Sequence, residues 1–369
     1  MPSKYLFILK PLQPYFFGKE KMSRLGARTD FQQDSVFYPQ QTTLLGLCRQ
    51  LILEQEGVIK GGVFDFKRSE LAAEIVGNSS FTGNTQNYGR IKSISPLFLY
   101  SCIKHKALFP MALDAEAKNS ISPLKGRISY HTDIIEDQLH IWENDKMYCR
   151  WKFPLEKDFF EESNIFDHTK ALPGIDKKKT IDNEEDSSAY YRQKYAYIKP
   201  EYDIAFAFEI TCEHAFDLGT FQVLMGGQRS AFTLEIQQKE FYNESTINMY
   251  NEDLNQSGLS RISLLSDAYI PFDFLMNSKK AVIKNNMFRN IQSRIKEVAG
   301  KRETTLHYNV NNKGEKENES ARSWGDRYTL ATRGSVFYFD EKYVKKAQEL
   351  LNNDAFRTIG YNHFQFKSI

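Results

Sequence analysis

Apolar and polar residues alternate in the middle of the chain. Ile204, Phe206, Phe208 and Ile210 occupy every second position, which predicts a half-buried β-strand. The same alternation recurs on both sides of the sequence MGGQRS, within FQVLMGGQRSAF at residues 221–232. Because paired glycines between two alternating runs favour a tight turn, this stretch predicts a hairpin.

The N-terminal part of the chain predicts a strand, a helix and two more strands. The apolar run at residues 5–10 predicts the first strand. From Leu44 to Leu51 the apolar residues follow the i, i+3, i+4, i+7 spacing of a helix with one buried face, and Gly57 favours its end. The sequences ISPLFLYS and ALFPMALD then predict two paired strands joined by a short basic turn.

The C-terminal end repeats this order in a reduced form. RGSVFYFD predicts a strand, EKYVKKAQELLNND a helix and IGYNHFQF a final strand. Two units of related topology indicate an α+β fold with two domains, at residues 1–200 and 201–369. The region from about 115 to 197 has no such pattern and is interpreted as an insertion in the first domain.

The formal net charge of +2 conceals two oppositely charged segments. Residues 277–302 carry an excess of about seven positive charges, and residues 155–168 carry an excess of about four negative charges. The first segment attracts a polyanion and the second repels one. A solvated surface without a partner is the simpler alternative for the basic segment.

Composition places the chain among globular proteins, with 41% apolar and 14% aromatic residues. The four cysteines lie far apart and form no C-x-x-C pair. This argues against a zinc site or a disulfide framework and fits a reducing cytosol. No stretch approaches the roughly 18 consecutive apolar residues of a membrane span. We therefore expect a soluble, cytoplasmic protein.

The sequence contains none of the common motifs of nucleotide, zinc or serine chemistry. G-x-x-x-x-G-K-[ST], H-E-x-x-H and G-x-S-x-G are all missing, and GNTQNYG does not match a dinucleotide fingerprint. The seven histidines are scattered without ligand-like pairs. We therefore expect no cofactor, no metal and no catalytic residues.

Four short motifs combine glycine with arginine or other polar residues: RLGARTD, MGGQRS, ATRGS and IGYNH. Glycine lets backbone N–H groups approach a ligand, and arginine pairs with phosphate through two hydrogen bonds. Tyr361 or His363 in the last motif is able to stack on an unpaired base. A turn explains each motif alone. Together with the basic segment, they favour single-stranded RNA or another extended phosphate ligand.

In this order, the motifs resemble the RAMP superfamily of CRISPR proteins, and within it the Cmr-three family of type III-B (Cmr) effector subunits. The likeness rests on PYFFG, VFYPQQTTLLGLCRQLI, SPLFLY with ALFPMALD, VLMGGQRSAF and LATRGSVFYFD. Gln228 departs from the family pattern, which has an acidic residue there, and Gln40 and Gln41 replace Pro-Ser. The resemblance implies two ferredoxin-like (RRM/RAMP-type) domains with long inserted loops.

The resemblance also implies a set of RNA contacts. Arg24 and Arg28 would reach the phosphates of the 5′ tag of the CRISPR RNA (crRNA). Thr42 and Thr43 would offer a helix N-terminus to an anion. With the basic segment and the last glycine motif included, the predicted RNA-binding residues are Arg24, Arg28, Thr42, Thr43, Gly226, Gly227, Arg229, Arg289, Arg294, Arg333, Gly334, Ser335, Tyr361 and His363.

The function implied by the resemblance is that of a non-catalytic subunit in antiviral defence. It would anchor the crRNA 5′ tag and dock the large polymerase/nuclease subunit of the Cmr complex against the backbone RAMP subunits. Two alternatives stay open. One is a metal-independent RAMP endoribonuclease that processes precursor crRNA, with His214 or His363 as the acid–base group. The other is a structural scaffold with no RNA contact.

Overall fold

A computed structural model describes residues 2–18, 32–77, 81, 83–84, 86–113, 140–143, 150–153, 159–175, 190–226, 228–242, 259–283, 289–294, 306–310, 316–320 and 324–368. The helices in these residues are α1 (Gln41–Gln55), α2 (Ser69–Val76), α3 (Glu162–Ile165), α4 (Phe272–Asn277), α5 (Glu341–Leu351) and α6 (Asp354–Arg357). Short 3-10 turns occupy Phe66–Arg68 and Pro200–Tyr202.

Strands make up most of the described structure. The strands before residue 200 are β1 (Ser3–Pro11), β2 (Gln32–Asp34), β3 (Ile59–Lys60), β4 (Val63–Phe64), β5 (Ile91–Ile94), β6 (Phe98–Ser101), β7 (Lys106–Pro110), β8 (His140–Glu143), β9 (Arg150–Lys152), β10 (Phe159–Glu161), β11 (Phe166–His168), β12 (Leu172–Ile175), β13 (Tyr190–Lys194) and β14 (Ala196–Ile198). The later strands are β15 (Ile204–Cys212), β16 (Gly219–Met225), β17 (Ser230–Gln237), β18 (Leu259–Leu264), β19 (Ala268–Tyr269), β20 (Ser278–Ile283), β21 (Arg289–Arg294), β22 (Leu306–Val310), β23 (Lys316–Ser320), β24 (Trp324–Ala331), β25 (Val336–Asp340) and β26 (Phe364–Ser368).

A nine-stranded antiparallel sheet forms the centre of the fold, with the order β10-β9-β7-β6-β15-β1-β17-β16 and β5 paired to β15. β1 lies between β15 and β17, and its side chains from Tyr5 to Leu9 are buried on both faces. A continuous apolar run suits such a strand, because neither face meets water. α1 covers one face and packs its buried residues Leu44, Leu47 and Cys48 into the same core as Phe7.

A second sheet has the order β26-β18-β25-β20-β8. Its core contains Phe274 of α4, Phe337 of β25 and Val344 of α5. Phe274 packs edge-on against Phe337, with ring centroids 5.0 Å apart. The fold is therefore a mixture of short helices with a large antiparallel sheet, which agrees with the predicted α+β class.

β15 corrects one prediction from the sequence. Its alternating pattern predicts a half-buried strand, but both of its faces are buried. The intervening residues Ala205 and Ala207 are small and pack in a separate apolar cluster on the opposite face. The carboxylate of Glu209 accepts hydrogen bonds from the backbone N–H groups of Phe241 and Tyr242, at 2.6 and 2.9 Å. A buried carboxylate is tolerated there because Oε2 accepts both hydrogen bonds and the Lys4 ammonium lies 3.7 Å from Oε1.

Several of the predicted elements agree with the structure, whereas β8 to β14, in the region interpreted as an insertion, were not predicted. The first strand, α1, the β6–β7 pair and α5 lie where the pattern predicts them, whereas the final strand, predicted over residues 359–366, is β26 and begins only at Phe364. The basic segment 277–302 contains β20 and β21, and the acidic segment 155–168 contains β10, α3 and β11. The low-hydrophobicity sequence DKKKTIDNEED at residues 176–186, which predicts a loop within the insertion, falls outside the described residues.

The two-domain division stays a prediction. β15 follows the predicted boundary at residue 200, and it hydrogen-bonds β1, β5 and β6, which precede that boundary. In the part of the chain that the structure describes, no helix combines the length and the apolar character needed to span a membrane.

Candidate functional site

The sequence MGGQRS forms the predicted hairpin turn. Met225 of β16 pairs with Ser230 of β17, so that four residues connect the strands. The N–H of Arg229 donates to the carbonyl oxygen of Gly226 at 3.1 Å. Both Gly226 (φ +74°) and Arg229 (φ +52°) have left-handed backbone conformations. The hairpin prediction is confirmed, and Gly227 lies outside the described residues.

This turn is held in place by the segment PYFFG. The N–H of Phe16 donates to Ser230 Oγ at 2.9 Å, and the ring of Phe17 stacks on Phe232. A Cβ on Gly226 would lie 2.9 Å from the carbonyl oxygen of Phe16, so a side chain there would push the two segments apart. The turn is therefore fixed at its base, while the side chain of Arg229 is exposed.

The predicted helix N-terminus lies close to this turn. α1 begins at Gln41, so Thr42 and Thr43 belong to its first turn, and Gln40 forms no side-chain cap. The amide Nε2 of Gln41 donates to the carbonyl oxygen of Gly360 at 3.2 Å. That hydrogen bond attaches the C-terminal glycine motif to the beginning of the helix.

One open groove, called here the α1 groove, brings these two regions together. It has a volume of about 470 Å³. Thr42 and Arg229, which are far apart in sequence, both line it. The other described residues that line the groove are Leu45, Gly46, Arg49, Gln50, Leu53, Ile59, Gly62, Phe64 and Phe81.

The α1 groove is positively charged. The charged residues among its described lining are Arg49 and Arg229. The Arg49 guanidinium lies over the ring of Tyr88, 5.2 Å from the ring centroid. Burial lowers the pKa of Arg49 to about 10, and it raises the pKa of the Tyr88 hydroxyl to about 12. Arg49 therefore keeps its charge at neutral pH and adds a buried positive charge to the lining of the groove.

Gly46 exposes the backbone of α1 to this groove. It lies within the helix, faces outward, and a Cβ built on it would meet no atom within 4 Å. Packing inside the protein therefore does not require glycine at this position. Glycine in a helix does allow a ligand to approach the backbone closely.

Replacing Gly46 by alanine is expected to raise the free energy of unfolding by about 0.5–1 kcal/mol, because alanine loses less backbone entropy in a helix. Urea unfolding followed by circular dichroism measures this change. A lower free energy of unfolding for Gly46→Ala would show that the helix needs glycine there for packing.

Arg333 is buried in the structure, with 5% of its surface exposed. Its backbone N–H and its Nε donate to Asp267 Oδ1, at 3.0 and 3.2 Å. The guanidinium also lies 4.8 Å from the ring centroid of Tyr38 and 5.9 Å from that of Trp151. These contacts connect β9, the segment before α1 and the turns after β18 and β24, so Arg333 has a structural role. Its RNA contact stays a prediction.

The neighbours of Arg333 and the last glycine motif are also enclosed. Gly334 (φ +85°) lies against the carbonyl oxygen of Met111, and Ser335 is buried and donates from its hydroxyl to Thr332. Tyr361 is buried between Phe81 and Phe356. His363 Nδ1 lies 3.3 Å from the hydroxyl of Tyr242. The α1 groove includes none of these four predicted site residues in its described lining.

Four predicted RNA-binding residues remain, and all four are arginines. Arg24 and Arg28 lie outside the described residues. Arg289 and Arg294 are the two ends of β21, opposite Leu330 and Trp324 of β24. Their proposed RNA contacts stay predictions.

Nine of the eleven described groove residues were not predicted from the sequence, among them Arg49, Phe64 and Phe81. The isolated glycine at position 46, inside a helical pattern, was the available signal for this face of α1. Phe64 and Phe81 carry no comparable signal, because they follow no periodic pattern.

The sequence matches a known protein family over almost its whole length. The family is described as CRISPR-associated protein (Cas_Cmr3), and the matches cover residues 7–141 and 139–366. The chain is thus a CRISPR-associated protein. It belongs to the Cmr3 family, and the resemblance to type III-B Cmr subunits predicted from the motifs is confirmed.

Solved structures that contain similar chains include two cryo-EM structures of one assembly. One is the cryo-EM structure of the type III-B Cmr-beta bound to cognate target RNA, with 14% identity and a TM-score of 0.45 over 97% of this chain and 96% of that one. The other is the same assembly bound to cognate target RNA and AMPPnP, in state 1, with 13% identity and a TM-score of 0.43 over 97% and 95%. At these values the likeness carries no argument about individual residues. Among curated proteins, none matches this sequence.

Proposed function

We propose that this protein is a non-catalytic, RNA-binding subunit of a type III-B CRISPR (Cmr) effector complex in the cytoplasm. It anchors the 5′ tag of the crRNA and docks the large polymerase/nuclease subunit against the backbone RAMP subunits. The observation that carries the RNA-binding part is the α1 groove, where Thr42 and Arg229 meet beside the buried cation of Arg49.

The chemistry of the groove suits a single strand of RNA. Arg229 is exposed on a fixed turn and able to pair with a phosphate through two hydrogen bonds. Phe64 is half-buried and contributes aromatic surface to the groove, on which an unpaired base stacks irrespective of its identity. Such a site recognises backbone and shape more than a base-pairing code.

The two sheets support the finer prediction of two ferredoxin-like domains. β1, α1, β6 and β7 follow one another in the strand–helix–strand–strand order of such a domain, and β15 adds a strand between β1 and β6. β25, α5 and β26 form a shorter strand–helix–strand unit, and both of its strands belong to the second sheet. We interpret these units as the two RAMP-type domains.

Replacing Arg229 by alanine is expected to weaken RNA binding about tenfold at low salt, since one charge-assisted phosphate contact is lost. The slope of log K against log[salt] becomes shallower by about 0.7. The difference in affinity between Arg229→Ala and the wild type therefore decreases as salt increases. Fluorescence anisotropy with a labelled single-stranded RNA that carries the 5′ tag measures both quantities.

The matched control for this experiment is Lys345→Ala, which removes one positive charge from the exposed surface of α5. It is expected to bind with wild-type affinity and slope. If Arg229→Ala also behaves as wild type at every salt concentration, the α1 groove does not hold RNA phosphate.

The non-catalytic part of the proposal is supported by the positions of His214 and His363. Each has 8% of its surface exposed. His214 Nε2 lies 2.7 Å from Gln55 Oε1, and burial lowers its pKa. A general acid–base group must reach the substrate. Incubation with repeat RNA in EDTA tests this point, because specific cleavage that is lost in His214→Ala or His363→Ala would establish a ribonuclease instead.

A further inference from the structure

The hairpin formed by β3 and β4, with the 3-10 turn that follows it, exposes large apolar side chains. Val63 is 69% exposed and Phe66 is 64% exposed. The rings of Phe66 and Phe64 form a T-shaped pair with centroids 5.5 Å apart, and most of the surface of Phe66 is exposed.

Hydrogen bonds hold Phe66 in a defined position. Asp65 Oδ1 accepts from the N–H of Lys67 at 3.1 Å, and the N–H of Asp65 donates to the carbonyl oxygen of Val58 at 2.9 Å. The N–H of Arg68 donates to the carbonyl oxygen of Asp65 at 3.0 Å. The exposed ring therefore sits on an ordered turn and loses little conformational entropy on binding.

A groove of about 510 Å³ lies at this surface and is called here the hairpin groove. It is lined by Lys60, Val63, Phe64, Asp65, Phe66 and Lys67. Phe64 also lines the α1 groove, so the two grooves share one aromatic side chain. A chain that leaves the α1 groove over Phe64 arrives at Phe66.

The charges around Phe66 favour an anionic ligand. Asp65 forms an ion pair with Arg68 at 3.8 Å. In the described part of the chain, Lys60 and Lys67 form no ion pair, and both are exposed. Two available ammonium groups thus flank an exposed ring. Sites for single-stranded nucleic acid combine these two features, whereas the cores of protein–protein interfaces are depleted in lysine.

We propose that the hairpin groove is a second binding site for single-stranded RNA, continuous with the α1 groove. An unpaired base stacks on Phe66, and Lys60 and Lys67 bind the phosphates on either side of it. This inference rests on the proposed RNA-binding function and extends the RNA path by about one nucleotide beyond Phe64.

The test compares variants of the full-length protein, with a labelled single-stranded RNA of about 12 nucleotides as the probe. Phe66→Ala and Phe66→Leu are expected to weaken binding about 5- to 100-fold, because both remove base stacking. Phe66→Trp is expected to retain wild-type affinity. Leucine separates stacking from simple apolar contact, since it keeps most of the apolar surface and has no ring.

The matched control is Phe272→Ala, which removes a phenylalanine of similar exposure (58%) from α4. It is expected to bind RNA as wild type does. Lys60→Ala and Lys67→Ala are each expected to make the salt slope shallower by about 0.7.

The outcomes separate this inference from the proposed function. If the Phe66 variants bind normally while Arg229→Ala binds weakly, the second site is wrong and the RNA-binding function stands. If the wild type itself does not bind the probe, the proposed function fails. If Phe66→Ala binds RNA normally but no longer assembles with the other subunits, the surface is a protein-docking site and the inference is overturned.

Discussion

Replacing Arg333 by alanine is expected to lower the free energy of unfolding by about 3–5 kcal/mol. Removal of the guanidinium leaves the carboxylate of Asp267 buried without its cation, and Asp267 is about as buried as Arg333 itself. The variant also loses the contacts of Arg333 with the faces of Tyr38 and Trp151. Urea unfolding at neutral pH measures the loss.

Two further variants make this result specific. Arg229→Ala removes an exposed arginine and is expected to change the free energy of unfolding by less than about 0.5 kcal/mol. The double variant Arg333→Met/Asp267→Leu removes both charges and is expected to recover part of the lost stability. A loss of less than about 1 kcal/mol for Arg333→Ala would contradict the structural role of this ion pair.

Replacing Gly360 by alanine is expected to cost about 2–5 kcal/mol of stability. Gly360 has φ +89°, where an L-residue is strained. An added Cβ would collide with the carbonyl oxygen of Ser95 and lie 2.8 Å from Gln41 Nε2. Because Gln41 begins α1, the collision also displaces the helix end that carries Thr42. The same variant is therefore expected to bind RNA more weakly, and fluorescence anisotropy measures this change.

Gly62→Ala is the matched control for Gly360→Ala. Gly62 has a similar backbone angle, φ +78°, but its Cβ would meet no atom within 4 Å. Gly62→Ala is expected to lower the free energy of unfolding only by the backbone strain, about 1–2 kcal/mol. The difference between the two variants gives the energy of the collision. Equal losses would show that the collision of the added Cβ with Ser95 and Gln41 costs no stability.

The sequence predicted elements well wherever one local pattern determined them. The run from Tyr5 to Leu9 and the hairpin around MGGQRS are examples. β15 was predicted less well, because its second face is covered by residues that are distant in sequence, such as Phe98 and Leu265. Small alanines between large apolar residues look like the polar half of an alternating pattern. They are instead the side chains that allow a second layer to pack closely.

The site was predicted in part for a similar reason. Glycine–arginine motifs identified Arg229, which the structure places in the α1 groove with Thr42. The same reasoning selected Arg333, whose partner Asp267 is 66 positions away and carries no signal in the sequence. The sequence does not distinguish an arginine that binds a ligand from one that binds a buried carboxylate, because only the fold shows which partner lies beside it.

The position of β1 has a consequence for the synthesis of the chain. Leu9 pairs with Phe206 of β15, and Leu6 pairs with Gln237 of β17. β1 therefore has neither of its sheet neighbours until the ribosome has made the chain as far as β15 and β17. At about 5–20 residues per second, the delay is roughly 10–45 s. During that time an apolar strand with two open edges is exposed to other nascent chains. We therefore expect the yield of folded protein to depend on chaperones that bind β1 before β15 and β17 are made.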